Sequence, residues 1–97
     1  MKIRILESAR RDLIDGYNFY EKQAEGIGTY FLDSISSDIE SLIDHAGVHP
    51  VCFGKYHRLL ALRFPFAIYY KLAGEEVLGF AVLDCRKEPA WIRSKLN

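Results

Sequence analysis

The stretch Tyr56–Asp84, YHRLLALRFPFAIYYKLAGEEVLGFAVLD, decides the fold. Three runs within it, Tyr56–Leu62, Phe66–Leu72 and Val77–Asp84, are rich in β-branched, aromatic and leucine residues. Such side chains suit a pleated, half-buried surface, so each run reads as a strand. Phe64–Pro65 marks one turn and Ala73–Glu76 the other. Connections this short join neighbours, so the three strands form an antiparallel meander. Tyr69 and Tyr70 are adjacent and therefore face opposite sides, with one of them expected in the core.

Upstream of the meander the period changes. Leu32, Ile35, Ile39, Leu42 and Ala46 step by three and four, which predicts one helix from about Thr29 to Ala46 with a single apolar stripe. Gly47 stands where a glycine ends a helix, and Pro50 cannot continue one. Leu13, Tyr17 and Tyr20 predict an earlier helix from about Ala9 to Ala24, with Ser8 as its N-cap and Gly26 and Gly28 breaking it from the next. Ile3 and Ile5 alternate with Lys2 and Arg4 in a short first strand. Lys87–Leu96 reads as a short helix or a docked tail, with Pro89 suited to a first turn. The whole is an α+β chain: an N-terminal strand, then an antiparallel helical hairpin packed on one face of a three-stranded antiparallel meander. At 97 residues we expect one domain, 1–97.

Composition narrows the function classes. Apolar residues make up 49% and charged ones 27%, as in a folded globular chain. No apolar run approaches the ~18 residues of a membrane span. The opening MKIRILESARRDL has no leader pattern, and two cysteines make no disulfide framework, so a cytoplasmic location is expected. Net charge is zero but unevenly spread: residues 1–54 carry five basic against nine acidic side chains, net −4, and residues 55–97 eight against four, net +4. That division fits a scaffold half and a half that meets an acidic or anionic partner.

Catalytic signatures are sparse. His45, His49 and Cys52 have H-x3-H-x2-C spacing, but Gly47 and Pro50 break the helix that would stack them, so neither a metal site nor a cofactor is expected. There is no nucleophile elbow and no glycine-rich phosphate loop. The cations Lys55, Arg58, Arg63, Lys71, Arg86 and Lys87, with His57 and nearby tyrosines, could position a phosphodiester and move protons without metal. On a solvated strand face the same cations simply keep a sheet soluble, and the residues alone leave both readings open.

LLALRFPFAIYYKLAGEEVLGFAVLDCRKEPAWIRSKL resembles the toxins of the RelE/ParE superfamily of bacterial type II toxin–antitoxin modules. RFPFAIYY (Arg63–Tyr70), the Gly-acidic turn, the apolar strand, and Arg86–Pro89 followed by Trp91 and Arg93 carry the likeness, and A-R-R-D-L opens the helical hairpin as expected. The resemblance implies a plasmid-stabilisation toxin neutralised by a cognate ParD/RelB-like antitoxin. ParE-like members bind and inhibit DNA gyrase; RelE-like members cut messenger RNA on the ribosome. For a ribonuclease the resemblance implies Lys55, His57, Arg63 and Arg86 as catalytic candidates. The tyrosine such enzymes place near the C-terminus falls at Trp91 or Ile92 here, so the resemblance is nearer to ParE. Target binding is then expected at Arg58, Arg63, Arg86, Trp91 and Arg93. The apolar face of the hairpin could also form a homodimer when no antitoxin is bound.

Overall fold

The computed structural model describes residues 1–96. Strand β1 (Lys2–Ile5) leads into α1 (Glu7–Glu21), which turns back through α2 (Ile27–Glu40) and the short α3 (Leu42–His45). Strands β2 (Val51–Cys52), β3 (Tyr56–Leu60), β4 (Phe66–Ala73) and β5 (Glu76–Asp84) follow, and α4 (Pro89–Leu96) closes the described chain. The strands form one sheet in the order β1-β5-β4-β3-β2. β3, β4 and β5 are the antiparallel meander read from the sequence, while β1 lies parallel to β5, with Ile3 opposite Val77 and Ile5 opposite Gly79. The fold is thus α+β with a mixed sheet. No helix among the described residues is long and apolar enough to cross a membrane.

The helical hairpin covers one face of the sheet. Phe31 and Ile35 of α2 are fully buried against Phe66, Ile68 and Val82, with Ala9 closing the cluster from α1. The two helices approach closely where glycines remove the side chain. A Cβ on Gly16 would fall 2.5 Å from the Phe31 ring, and one on Gly28 would fall 2.8 Å from both the Tyr17 ring and its carbonyl oxygen. Gly28 is therefore a buried residue of α2 rather than part of the break, which Gly26 alone makes at φ +90°. Because backbone cannot yield as a side-chain tip can, Gly28→Ala should cost about 1–3 kcal/mol, seen as a lower denaturant midpoint. A midpoint equal to wild type would mean the helices are not in this contact.

Several boundaries differ from the sequence reading. α1 starts at Glu7 with Leu6 as its N-cap, and no side chain caps it. Ser8 instead donates its hydroxyl to the Phe80 carbonyl at 2.6 Å. The start of α2 is capped from α1: the Glu21 carboxylate accepts the Gly26 and Gly28 N–H groups at 3.0 and 2.9 Å. The long second helix is interrupted at Ser41, whose hydroxyl donates to the Asp38 carbonyl at 2.6 Å and so competes with the helical ladder. Strand β2 was not anticipated. A tight turn through Phe53 (φ +57°) and Gly54 (φ +69°) folds it onto β3.

The largest difference is that the sheet is buried on both faces. Tyr70 faces the hairpin and Tyr69 the opposite side, yet both are buried, at 0% and 2% exposure. A second cluster forms there from Tyr56, Ala67, Tyr69, Ala81 and Leu83, covered by Ile92 and Leu96 of α4. A register shift at Tyr69/Tyr70 inserts Phe80 as an extra residue in β5. This bulge turns Phe80 toward the second cluster, beside Tyr56 at 5.2 Å. The Tyr56 hydroxyl ties α4 down by donating to the Leu96 carbonyl at 2.7 Å.

Candidate functional site: the cleft between the first and last helices

Strand β1 ends opposite Gly79, but β5 runs on to Asp84, so its last residues have no strand beside them on that side among the described residues. Helix α1 seals part of this edge with side chains. Asp12 accepts the Val82 N–H at 3.0 Å, one turn beyond the Ser8 bond to Phe80. On the other side of β5 lies α4. Between the two helices opens a cleft of about 480 Å³, floored by Phe66, Val82 and Leu83.

One wall is a helical stripe, and the other joins α4 to the turn that precedes it. Asp12, Asp15, Gly16 and Phe19 sit at i, i+3, i+4 and i+7 of α1 and line one wall. Lys87, Trp91 and Lys95 line the other at steps of four, with Arg86 and Asp84 at the end of β5. One wall is acidic with an exposed phenylalanine; the other is basic with an exposed tryptophan. The Lys87 and Lys95 ammonium groups lie over the Trp91 ring, 5.5 and 5.4 Å from its centre. These cation–π contacts hold the indole at the rim of the cleft.

Burial pushes the Asp12 carboxyl above the usual carboxylate range, against the pull of the Val82 N–H and the Lys95 charge. Asp84 moves the other way. Arg86 grips it through two side-chain bonds, Nε at 3.0 Å and Nη2 at 2.8 Å, and these outweigh its desolvation and hold its carboxyl below the ordinary value. Arg86 also lies beside the Tyr20 phenol, whose pKa burial raises and the guanidinium partly offsets. The Asp84–Arg86 pair therefore stabilises the fold above the unfolded carboxylate pKa of about 3.9, and this is lost as pH falls through the lower folded value. In an NMR titration the Asp84 carboxyl should titrate below that reference, and Arg86→Ala should move it up. An Asp84 titration unchanged by Arg86→Ala would remove the pair as the cause.

The structure separates the residues singled out in the sequence. Arg86 and Trp91 share the cleft. Arg93 stands elsewhere on α4, its guanidinium 5.0 Å from the centre of the Phe53 ring, in a second hollow with Lys55 and Tyr56. Arg63 is exposed in the β3–β4 turn, whose Pro65 carbonyl accepts the Cys85 N–H next to Arg86. Arg58 lies on the α4 side of the sheet beside Tyr69, its Nε buried without a hydrogen-bond partner among the described residues. His57 faces the hairpin side, stacked on Tyr70. Lys55 and His57 thus stand at the start of β3, and Arg63 and Arg86 past the far end of the sheet. The five residues of β3 separate them by about 13 Å at ~3.3 Å per residue. His49 bonds Tyr70 on the hairpin side while Cys52 packs with the opposite cluster, so these two do not share a site.

The sequence reading singled out Lys87 as one of the sheet cations but missed Asp12, Phe19 and Lys95. Their signal was present as the i, i+3, i+4, i+7 stripe on α1 and the four-residue step from Trp91 to Lys95 on α4, in mostly polar stripes that a search for apolar periodicity passes over.

No protein-family profile matches the chain, and no curated protein matches it. Among solved structures it matches a chain described as "Chromosomal ParDE TA system from P. aeruginosa", with a TM-score of 0.78 and 19% identity over 84% of this chain and 92% of that one. At that identity the likeness is one of fold. The chain has the ParE-like α+β fold that its sequence resemblance implied.

Proposed function

We propose that this chain is the toxin of a type II toxin–antitoxin pair, a single ParE-like domain over residues 1–97. It acts in the cytoplasm by binding DNA gyrase and is neutralised by a cognate antitoxin. The observation that carries this reading is the cleft between α1 and α4. It combines an exposed tryptophan, an exposed phenylalanine and an arginine over an apolar floor, which is the composition of a protein-binding hot spot. Its opposed acidic and basic walls favour a partner segment with charges of both signs. The fold shared with a chain of a ParDE system supports the module. Lys55, His57, Arg63 and Arg86 lie at two ends of the sheet, and this weighs against message cleavage by those four together.

Induced expression in a bacterial host, with plasmid topology and total RNA sampled together, tests the reading. Growth arrest with relaxed plasmid and intact messages is the expected result. Fragmented messages would replace it with a RelE-like ribonuclease, and unimpeded growth with soluble protein would mean that toxicity is lost or the target absent from that host.

A further inference from the structure

The connection from α3 to β2 is held by an unusual group of side chains. Tyr70, fully buried on β4, accepts the Gly47 N–H on its hydroxyl oxygen at 2.9 Å. Its own proton is then free to go to His49 Nδ1, 2.5 Å away. That arrangement requires His49 to be neutral, with its hydrogen on Nε2. His57 completes the group from β3: its ring stacks on Tyr70 at 5.0 Å and 18°, and its Nδ1–H donates to the His49 carbonyl at 2.8 Å. The last tie is the Arg58 N–H donating to the Pro50 carbonyl at 2.8 Å. Strand β2 adds little, since only Val51 and Cys52 pair with β3.

We propose that His49, Tyr70 and His57 form a pH-sensitive latch, which holds residues 46–52 on the sheet while His49 is neutral and releases them when it is protonated. A proton on Nδ1 sets two donors against each other, because the Tyr70 hydroxyl points its hydrogen at the same atom. The titratable groups facing His49 are His45 from α3, His57 from β3 and Tyr70 from β4. Among the described residues no carboxylate lies within ion-pair distance of it, so a charge there has no counter-ion. Burial, then the charges of His57 and His45, hold its pKa below the ordinary imidazole value. The Tyr70 hydroxyl, raised by burial, stays protonated throughout. The latch is therefore closed above the unfolded histidine pKa of about 6.5, and its contribution is lost as pH falls through the lower folded value of His49. Opening is local, since β4 and β5 hold each other and the hairpin independently of this connection.

Backbone amide exchange measured across pH, corrected for intrinsic rates, tests the latch alongside an imidazole NMR titration. As pH falls from the unfolded histidine value of about 6.5 to the lower His49 midpoint, the protection factors of the Gly47 and Arg58 amides should fall by up to about tenfold per pH unit and then level off, while those of the β4–β5 ladder stay level throughout. His49→Asn keeps an acceptor near the Nδ1 position and cannot titrate, so its protection should be flat across the same range. Protection at Gly47 and Arg58 that does not change with pH in the wild type would overturn the proposal. So would the same loss in His49→Asn, or a His49 midpoint at or above the ordinary value. Tyr70→Phe, if it folds, should leave the segment open at every pH.

Discussion

Phe31→Ala should lower Tm by about 15–30 °C. The ring is completely buried and meets three others, Tyr20 at 5.2 Å, Phe64 at 5.1 Å and Phe66 at 5.0 Å. Truncating a buried phenylalanine costs about 3–5 kcal/mol in lost transfer energy and an unfilled cavity. That is a large share of the 5–15 kcal/mol or so that holds a domain together, and for ~100 residues each kcal/mol moves Tm by roughly 4–8 °C. The cavity cannot collapse easily, because Gly16 already brings α1 against this ring with no side chain left to move in. Phe19→Ala is the control: that ring is 53% exposed, and its loss should stay within about 0.5 kcal/mol. A Tm for Phe31→Ala within about 5 °C of wild type would show that the hairpin–sheet interface is not the main core.

The second large effect concerns function. Arg86→Ala and Trp91→Ala should each weaken binding to the target by about 30-fold or more, as expected when a central arginine or tryptophan is truncated in a protein interface. The double variant should then permit growth where the wild type arrests it, and should lose supercoiling inhibition with purified gyrase. Both side chains stand at the surface, Trp91 at 37% exposure and the Arg86 side chain at 62%, so the folded state should tolerate the change with little movement in Tm. Full toxicity in a folded double variant would remove the cleft as the target site. Arg93→Ala offers a comparison, since Arg93 packs over Phe53 in the other hollow and should leave cleft binding intact.

Much of this architecture is local chemistry, and local chemistry is legible in a sequence. The strand runs either side of Phe64–Pro65 and Gly74, the apolar stripe of α2, and the positive φ of Gly47 all follow from residues within one turn or one hairpin of each other. The failures have a common cause. Ser8 looked like a cap because the residues after it are helical, but its hydroxyl is taken by Phe80, seventy-two residues away. Glu21, which no local pattern singles out, caps the following helix by accepting the Gly26 and Gly28 N–H groups. Ser41 breaks a stripe whose hydrophobic period never falters.

The sequence by itself determined the order of the elements, the antiparallel meander and the resemblance to RelE/ParE toxins, because period, turn chemistry and short connections act between near neighbours. Only the tertiary structure decided that α4 buries the second face of the sheet, so that Tyr69 and Tyr70 are both core. It also decided that Arg86 and Trp91 share a cleft while Arg93 and His57 do not. Side chains on one strand alternate between faces, and what covers each face depends on where distant helices land. A bulge at Phe80 and a first strand that stops at Ile5 set those positions, and the second is an outcome of packing between segments more than seventy residues apart.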